Sequence, residues 1–220
     1  MRYLLVVIVV ASIAFSSDSV SDLYLQRDSE RGSAIYSDAF IQGTMAYHAP
    51  YACSTYYAAD DFVPPSDCCI TDVSFWFFST VPPLPSASEL DVSFYANGTE
   101  GPGDLLWLGQ PASVTQTNTG VKFAKYYIFE VACVLPESGY VNLTAGQTYW
   151  AAVGRNAGGD MYSIMNTVVT GSESYGKHGS DDWYTGSSLG QDPVNMFMVI
   201  EDNSPAALQN LSWGAIKAGY

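Results

Sequence analysis

The stretch Ile70–Phe78 reads ITDVSFWFF, and it decides the fold class. Val73, Phe75 and Phe77 occupy every second position, so their side chains share one face of an extended chain, while Ser74 lies on the other face. β-branched and aromatic residues suit the pleated, half-buried surface of a sheet. The stretch therefore predicts a strand with one face on a core and the other toward solvent or loops.

Other runs show the same period of two. They are DVSFYANG (91–98), VKFAKYYIFEVACVL (121–135), TYWAAVG (148–154), MYSIM (161–165) and NMFMVIE (195–201). The longest of them, 121–135, predicts one extended strand with Val121, Phe129 and Val131 on one side. Turn signals rich in Pro and Gly, such as VPPSD and NGTEGPG, separate the runs. Six or more strands without a long helix predict an all-β fold, an antiparallel, jelly-roll-like β-sandwich.

The chain of 220 residues divides into four predicted parts. Residues 1–19 resemble a signal peptide, because Arg2 precedes the apolar run Leu4–Ile13 and small residues follow it. The run is shorter than the roughly 20 residues of a membrane span. Residues 20–55 form an extended lead-in that could supply a first edge strand, 56–202 form the sandwich, and 203–220 form a linker and a C-terminal tail. This order predicts a secreted or cell-surface protein.

The formal net charge of −14 restricts the possible partners. Nucleic acid is disfavoured, because its binding needs clustered Lys and Arg to neutralise phosphates. Anionic membrane surfaces are disfavoured for the same reason. Cationic ligands, metal ions and neutral sugars remain open.

Four cysteines, Cys53, Cys68, Cys69 and Cys133, predict disulfides if the chain is secreted. Cys68 and Cys69 are neighbours, so we expect each to pair with a distant cysteine rather than with the other. Cys53 would take one of them and Cys133 the other, and the sequence does not decide which. A metal site is the weaker interpretation, because the CxxC spacing is missing.

The loop GKHGSDDWYTGSS (176–188) is the most site-like stretch of the sequence. Flat aromatic faces beside acceptor oxygens suit sugar rings, and loops on a rigid sandwich often bind ligands. The candidate ligand-binding residues are His178, Asp181, Asp182, Trp183 and Tyr184. In the alternative interpretation, Trp183 folds back and covers the core, as large aromatic side chains commonly do.

Asp60 and Asp61 are a candidate calcium site, since calcium prefers several oxygen ligands. In the alternative interpretation one carboxylate faces solvent and the other binds backbone amides or a turn. Catalytic motifs are missing: there are two histidines and no G-x-S-x-G elbow. We therefore predict a protein that is not an enzyme and has no cofactor, with calcium left possible.

An ordered set of landmarks resembles a β-sandwich module found in many secreted bacterial proteins. The landmarks are Ala59-Asp60-Asp61-Phe62, the turn Asn97-Gly98-Thr99-Glu100-Gly101-Pro102-Gly103-Asp104-Leu105-Leu106, and Leu143-Thr144-Ala145-Gly146-Gln147-Thr148-Tyr149-Trp150. The turn departs from the module's pattern, because Pro102 follows Gly101 directly. The resemblance covers about residues 56 to 202. It implies a jelly-roll-like sandwich outside the cell and no particular activity.

The tail LSWGAIKAGY resembles the S/T-W-G-x-I-K endings of secreted proteins from some bacterial lineages. The residues that match are Trp213, Gly214, Ile216 and Lys217. The resemblance implies a sorting or attachment signal. In the alternative interpretation a terminal amphipathic turn packs Trp213 and Ile216 on the sandwich.

Together these patterns predict a secreted or cell-surface, non-catalytic β-sandwich with a structural, adhesion or display role. Its predicted partners are glycans, cell-surface or matrix proteins, and the export and sorting machinery, without nucleic acid or a stable membrane span. The alternative hypothesis is a carbohydrate-binding module that uses the 176–188 loop. A glycan hydrolase, which needs two carboxylates across a cleft, is the least favoured hypothesis.

Overall fold

Extended chain dominates this computed structural model, which describes residues 33–38, 45–52, 56–79, 85–123, 125–156 and 161–202. The strands are β1 (Ser33–Asp38), β2 (Met45–Ala52), β3 (Tyr56–Phe62), β4 (Cys68–Ile70), β5 (Asp72–Ser79), β6 (Leu90–Gly98), β7 (Gly101–Gly109), β8 (Ser113–Phe123), β9 (Tyr126–Val134), β10 (Val141–Leu143), β11 (Tyr149–Arg155), β12 (Met161–Asn166), β13 (Tyr175–His178), β14 (Tyr184–Thr185), β15 (Asn195–Met196) and β16 (Met198–Asp202). Within those ranges no α-helix occurs, and single 3-10 turns lie at 87–89, 137–139 and 187–189. No helix there is long and apolar enough to cross a membrane.

Two large antiparallel sheets contain most of these strands. The six-stranded sheet has the order β14-β13-β3-β11-β6-β7. In the eight-stranded sheet, β5 is central: β9 lies along one edge of it, while β16 and β12 share the other edge. β8 lies beyond β9, β1 beside β16 and β2 beside β12, so both strands of the predicted lead-in pair with the sandwich. The short strands β4 and β10 form a separate pair.

The main core lies between the two large sheets. Phe75 and Phe77 of β5 meet Phe62 of β3 and Phe94 of β6 in one buried cluster. The predicted period of two is the cause, because alternate side chains of each strand point into the same layer. The prediction of an all-β, antiparallel sandwich is confirmed. Trp76 and Trp150 are among the largest fully buried side chains of the described residues.

The opposite face of the eight-stranded sheet is also apolar and buried. Trp76 and Phe78 of β5 belong to a second cluster with Ile128 and Phe197. The ring of Phe78 stacks on three partly buried rings, those of Phe123, Tyr126 and Tyr162, at centroid distances of 5.6, 5.5 and 5.2 Å. Ser74 lies on this second face and is buried too, so this face is shielded from solvent.

The run 121–135 is a hairpin, and the prediction of one continuous strand is wrong. β8 ends at Phe123 and β9 begins at Tyr126, and these two residues pair directly. Directly paired residues share a face, so the turn shifts the period by one position. Val121 therefore joins the second cluster, while Val131 joins the main core. A tight turn that preserves an apolar pattern on both sides cannot be recognised from periodicity alone.

Candidate binding surface

The outer face of the six-stranded sheet contains a group of large aromatic side chains. Tyr95 of β6 pairs with Trp150 of β11, which pairs with Asp61 of β3. These residues alternate with the core residues of their strands, so they point away from the main core. Tyr175 of β13 pairs with Ala59 and lies on the same face.

Four rings on this face pack edge to face in two pairs; we call Tyr95, Trp150, Tyr175 and Trp183 the aromatic face. The Tyr95 and Trp183 centroids are 5.4 Å apart at 86°, and those of Trp150 and Tyr175 are 5.1 Å apart at 83°. The edge-to-face arrangement places the positive ring edge on the negative ring face. Trp150 donates its indole N–H to Asn97 Oδ1 at 2.9 Å. The group is therefore fixed by both packing and a hydrogen bond.

A tyrosine and a carboxylate extend the same face at the far end of β3 and β6. The Tyr57 hydroxyl donates to Asp91 Oδ2 at 3.0 Å, and Asn156 Nδ2 donates to Asp91 Oδ1 at 2.9 Å. Burial, then the hydrogen bond to Asp91, raise the pKa of Tyr57 to about 12. Tyr57 is thus a neutral hydrogen-bond donor at physiological pH.

The predicted loop residues lie next to the aromatic face, but in different environments. Trp183 folds back against Tyr95, and the Lys177 ammonium lies 5.3 Å from its ring centroid. Its ring is partly exposed rather than a free flat platform. This geometry is the fold-back alternative of the sequence analysis.

The other predicted loop residues are more accessible or pack locally. His178 Nδ1 lies 3.4 Å from Asp181 Oδ2, and both side chains are at least half exposed. Asp182 is exposed, whereas Tyr184 pairs with Gly176 and covers it with its ring. The loop therefore brings one partly exposed ring, one cation and exposed carboxylates together.

Asp60 and Asp61 point to opposite faces of β3, and both are buried. Asp60 accepts from the side chain of Asn195 at 2.8 Å, from the Asp61 N–H at 2.9 Å and from the Met196 N–H. Asp61 accepts from the Ser172 N–H at 3.0 Å. Burial raises the pKa of both carboxyl groups, that of Asp60 well above its ordinary value.

The pair therefore connects separate parts of the sandwich. Asp60 joins β3 of one sheet to β15 of the other, and Asp61 joins β3 to the loop at Ser172. The expectation that one carboxylate faces solvent is wrong, because both side chains are buried. In the described part of the chain, no group of three or more His, Cys, Asp or Glu could hold a metal ion. N–H donors, not further oxygen ligands, contact both carboxylates, and this environment disfavours a calcium ion at Asp60 and Asp61.

The described cysteines are free thiols in place of the predicted disulfides. Cys133 faces the core, where burial raises its pKa to about 12. Cys68 and Cys69 lie opposite Leu143 and Asn142, respectively, in the β4–β10 pair. As neighbours in a strand they point to opposite faces, so they cannot converge on one partner. The fourth cysteine, Cys53, lies outside the described residues.

The last strand of the six-stranded sheet, β7, exposes leucines. Leu105, Leu106 and Leu108 are 52%, 43% and 49% exposed, and they are the residues we call the leucine edge. Trp107 instead turns inward and stacks near Phe94, with 6.2 Å between ring centroids. Among the described strands, β7 pairs only with β6.

The leucine edge is not predicted from the sequence, because the resemblance assigns 97–106 to a turn. The turn occupies only Thr99 and Glu100, and β7 begins at Gly101 with a φ of +106°. The signal that could have identified the strand is the apolar run Leu105–Leu108. The density of Gly and Pro just before that run obscured it.

The remaining predicted sites lie outside the described residues. They are the signal peptide, and the tail residues Trp213, Gly214, Ile216 and Lys217. Comparison with protein-family models, with curated proteins and with solved structures found no match. The chemistry of the described surface is therefore the basis for inferring a function.

Proposed function

We propose that the protein is a secreted or cell-surface, non-catalytic β-sandwich with a structural, adhesion or display role. The leader pattern supports export, and the tail pattern supports a contact with sorting machinery. The observation that carries the role is the leucine edge. Its apolar side chains are about half exposed, and they lie on β7, the edge strand of the six-stranded sheet as described. Apolar surface next to unpaired strand edges is the chemistry of protein–protein contact. The partners proposed are cell-surface or matrix proteins.

Adhesion of coated beads tests this role. Beads coated with the protein should adhere to intact cells of the native host or to their matrix. Beads coated with the Leu106→Lys/Leu108→Lys variant should adhere much less, because two charges replace apolar contact area on each molecule. The matched control is Val63→Lys/Val168→Lys, which adds the same charge at residues that are 46% and 50% exposed away from β7. Equal adhesion of all three coatings would refute the role of the leucine edge.

Export has a separate test, because it depends on the leader and not on β7. Mass spectrometry of the mature, non-reduced protein from the native host should find it outside the cell, beginning between residues 15 and 20. The same spectrum reports the C-terminus and the thiol count. A full-length chain confined to the cytosol would contradict the proposal.

A second candidate function is carbohydrate binding by the 176–188 loop. The observation that favours it is the partly exposed Trp183 ring with Lys177 above it and exposed carboxylates of Asp181 and Asp182 nearby. A glycan array should then give a signal that Trp183→Ala abolishes. Tyr127→Ala, which removes an exposed ring on the other sheet, is the control and should bind normally. No binding, or binding that ignores Trp183→Ala, would exclude this candidate.

A further inference from the structure

Two short stretches of the sandwich share the pattern Tyr-x-Asn-x-Thr. They are 95–99 and 140–144, and each contains the triplet N-x-T. Such a triplet is the acceptor sequence for N-linked sugars when it lies on the surface of an exported chain. A third triplet, 210–212, lies outside the described residues and has no aromatic residue two positions before it. The triplet alone is a weak signal, so the surroundings of the two described asparagines decide between them.

The stretch 140–144 presents its triplet on an exposed face. Tyr140, Asn142 and Thr144 are exposed, whereas Val141 and Leu143 are buried in the main core. The alternation follows from β10, because successive side chains of a strand point to opposite faces. The two apolar residues hold β10 on the sandwich, and its backbone pairs with β4. The folded chain therefore holds the acceptor asparagine in place and leaves its amide open to solvent, so a sugar there displaces no core residue.

Tyr140 supplies an exposed ring next to the amide of Asn142. Its side chain is 38% exposed, and it lies two residues before Asn142 on the same face of the strand. The flat face of an aromatic ring carries partial negative charge, which attracts the C–H groups of a sugar ring. Packing of the two rings also removes apolar surface from water. The first sugar on Asn142 thus has a partner on the protein.

The stretch 95–99 offers less to a sugar. Tyr95 is only 9% exposed, because Trp183 packs edge to face on it. The amide oxygen of Asn97 accepts the indole N–H of Trp150, so this side chain is already held against the aromatic face. The contrast singles out Asn142.

We propose that Asn142 is an N-glycosylation site whose first sugar packs on the ring of Tyr140. The inference rests on the export part of the proposed function, because the sugar is added on the export route. The donor is an oligosaccharide on a lipid pyrophosphate carrier, which the exporting host supplies together with the transferase. Asn142 Nδ2 bonds to C1 of the first sugar, the bond from C1 to the pyrophosphate oxygen breaks, and the amide nitrogen loses one proton. The lipid pyrophosphate leaves, and Thr144 supplies the hydroxyl that the acceptor sequence requires.

Peptide mass mapping of the protein from its native host tests the site. The peptide that contains Asn142 should carry the added mass of a glycan. Thr144→Ala should abolish that mass although Asn142 is still present, whereas Thr144→Ser, which keeps the acceptor sequence, should retain it. Both changes are at an exposed position, so both variants should fold. A modification that Thr144→Ala leaves in place would overturn the inference.

The same experiment separates the glycosylation site from the proposed export. A chain found outside the cell with Asn142 unmodified overturns the site and leaves export standing. A full-length, unmodified chain confined to the cytosol overturns export and, with it, this inference.

Thermal unfolding tests the packing on Tyr140. Thr144→Ala, which removes the glycan, should unfold at a lower midpoint temperature than Thr144→Ser, which keeps it. When Tyr140→Ala is added to both variants, this difference should largely disappear, because the sugar then has no ring to pack on. A difference of equal size with and without the ring, or no difference in either case, would overturn the packing.

Discussion

At the scale of single residues, the buried carboxylate of Asp60 is the most consequential group. It accepts hydrogen bonds from three N–H groups and connects β3 of one sheet to β15 of the other. A buried carboxyl group without partners would be strongly unfavourable. Asp60 and these N–H donors therefore satisfy each other's hydrogen bonds in the protein interior.

Replacement of Asp60 with alanine should destabilise the protein by about 2 to 4 kcal/mol, because it removes the buried side-chain acceptor of the Met196 and Asp61 N–H groups. The measurement is the free energy of unfolding from urea titration. Asp182→Ala, at an exposed position, is the control and should change stability by less than about 0.5 kcal/mol. Equal midpoints for the two variants would show that Asp60 does not join the sheets.

The raised pKa of Asp60 predicts a pH dependence of stability. Burial raises the folded-state pKa above the unfolded value of about 4, so the folded state holds its proton more tightly. The resulting stabilisation is present below about pH 4 and is lost as the pH rises through the folded pKa. Relative to Asp60→Asn, whose side chain does not titrate, the wild type should lose stability from about pH 4 upward. Parallel pH profiles of the unfolding free energy would contradict this assignment.

At the scale of elements, the turn between β6 and β7 depends on the aromatic face. Gly101 has a φ of +106°, and a Cβ added there would lie 2.6 Å from the ring of Tyr175. The ring that packs on Trp150 thus occupies the space that any other residue at the turn would need. The conformation of the β6–β7 hairpin and the packing of the aromatic face therefore depend on each other.

Gly101→Ala should cost about 2 to 4 kcal/mol, the sum of an unfavourable φ and a clash with Tyr175. The matched control is Gly146→Ala, since Gly146 also has a positive φ, +73°, but has no neighbour within 4 Å of an added Cβ. That change should cost about 1 kcal/mol. Urea unfolding of both variants gives the comparison. If the two variants are equally stable, the ring of Tyr175 does not restrict the turn.

The sequence predicted strands best where one strand lies between clear turns, as at Ile70–Phe78. It failed at 121–135, because the apolar pattern continues through the hairpin turn and shifts by one position there. It also missed β7, whose leucines follow a segment rich in Gly and Pro. Periodicity describes one strand at a time, whereas turns and edge positions depend on the neighbouring strand.

Within the candidate surface, sequence identified Trp183 but not its neighbours Tyr95, Trp150 and Tyr175. These residues come from separate strands, β6, β11 and β13, and only the strand order β13-β3-β11-β6 brings them onto one face. The pairing of strands that are distant in sequence cannot be read from a single sequence. The sandwich class was predictable, and the composition of its outer face was not.

At the scale of the whole molecule, the net charge of −14 opposes association between copies. If the leucine edge binds a protein partner through apolar contacts, as proposed, salt should not weaken the adhesion, because it screens charges and leaves apolar contacts unaffected. Adhesion of coated beads should be at least as strong at about 500 mM NaCl as at about 50 mM NaCl. Weaker association at high salt would indicate an ionic contact instead.

Because β5 is buried on both faces, its apolar residues alone do not fix its pairing register with the neighbouring strands. When one side of a strand is polar, sliding by one residue exposes every apolar group, so burial alone selects the correct pairing. A strand with phenylalanines on one side and Trp76 and Phe78 on the other loses little apolar burial by sliding. The register is then determined by the buried polar residues of the pair, Ser74 on β5 and Glu130 on β9. A slip of β9 by one residue would turn the Glu130 carboxylate toward the apolar main core, so this one acid sets the register that apolar burial leaves undecided.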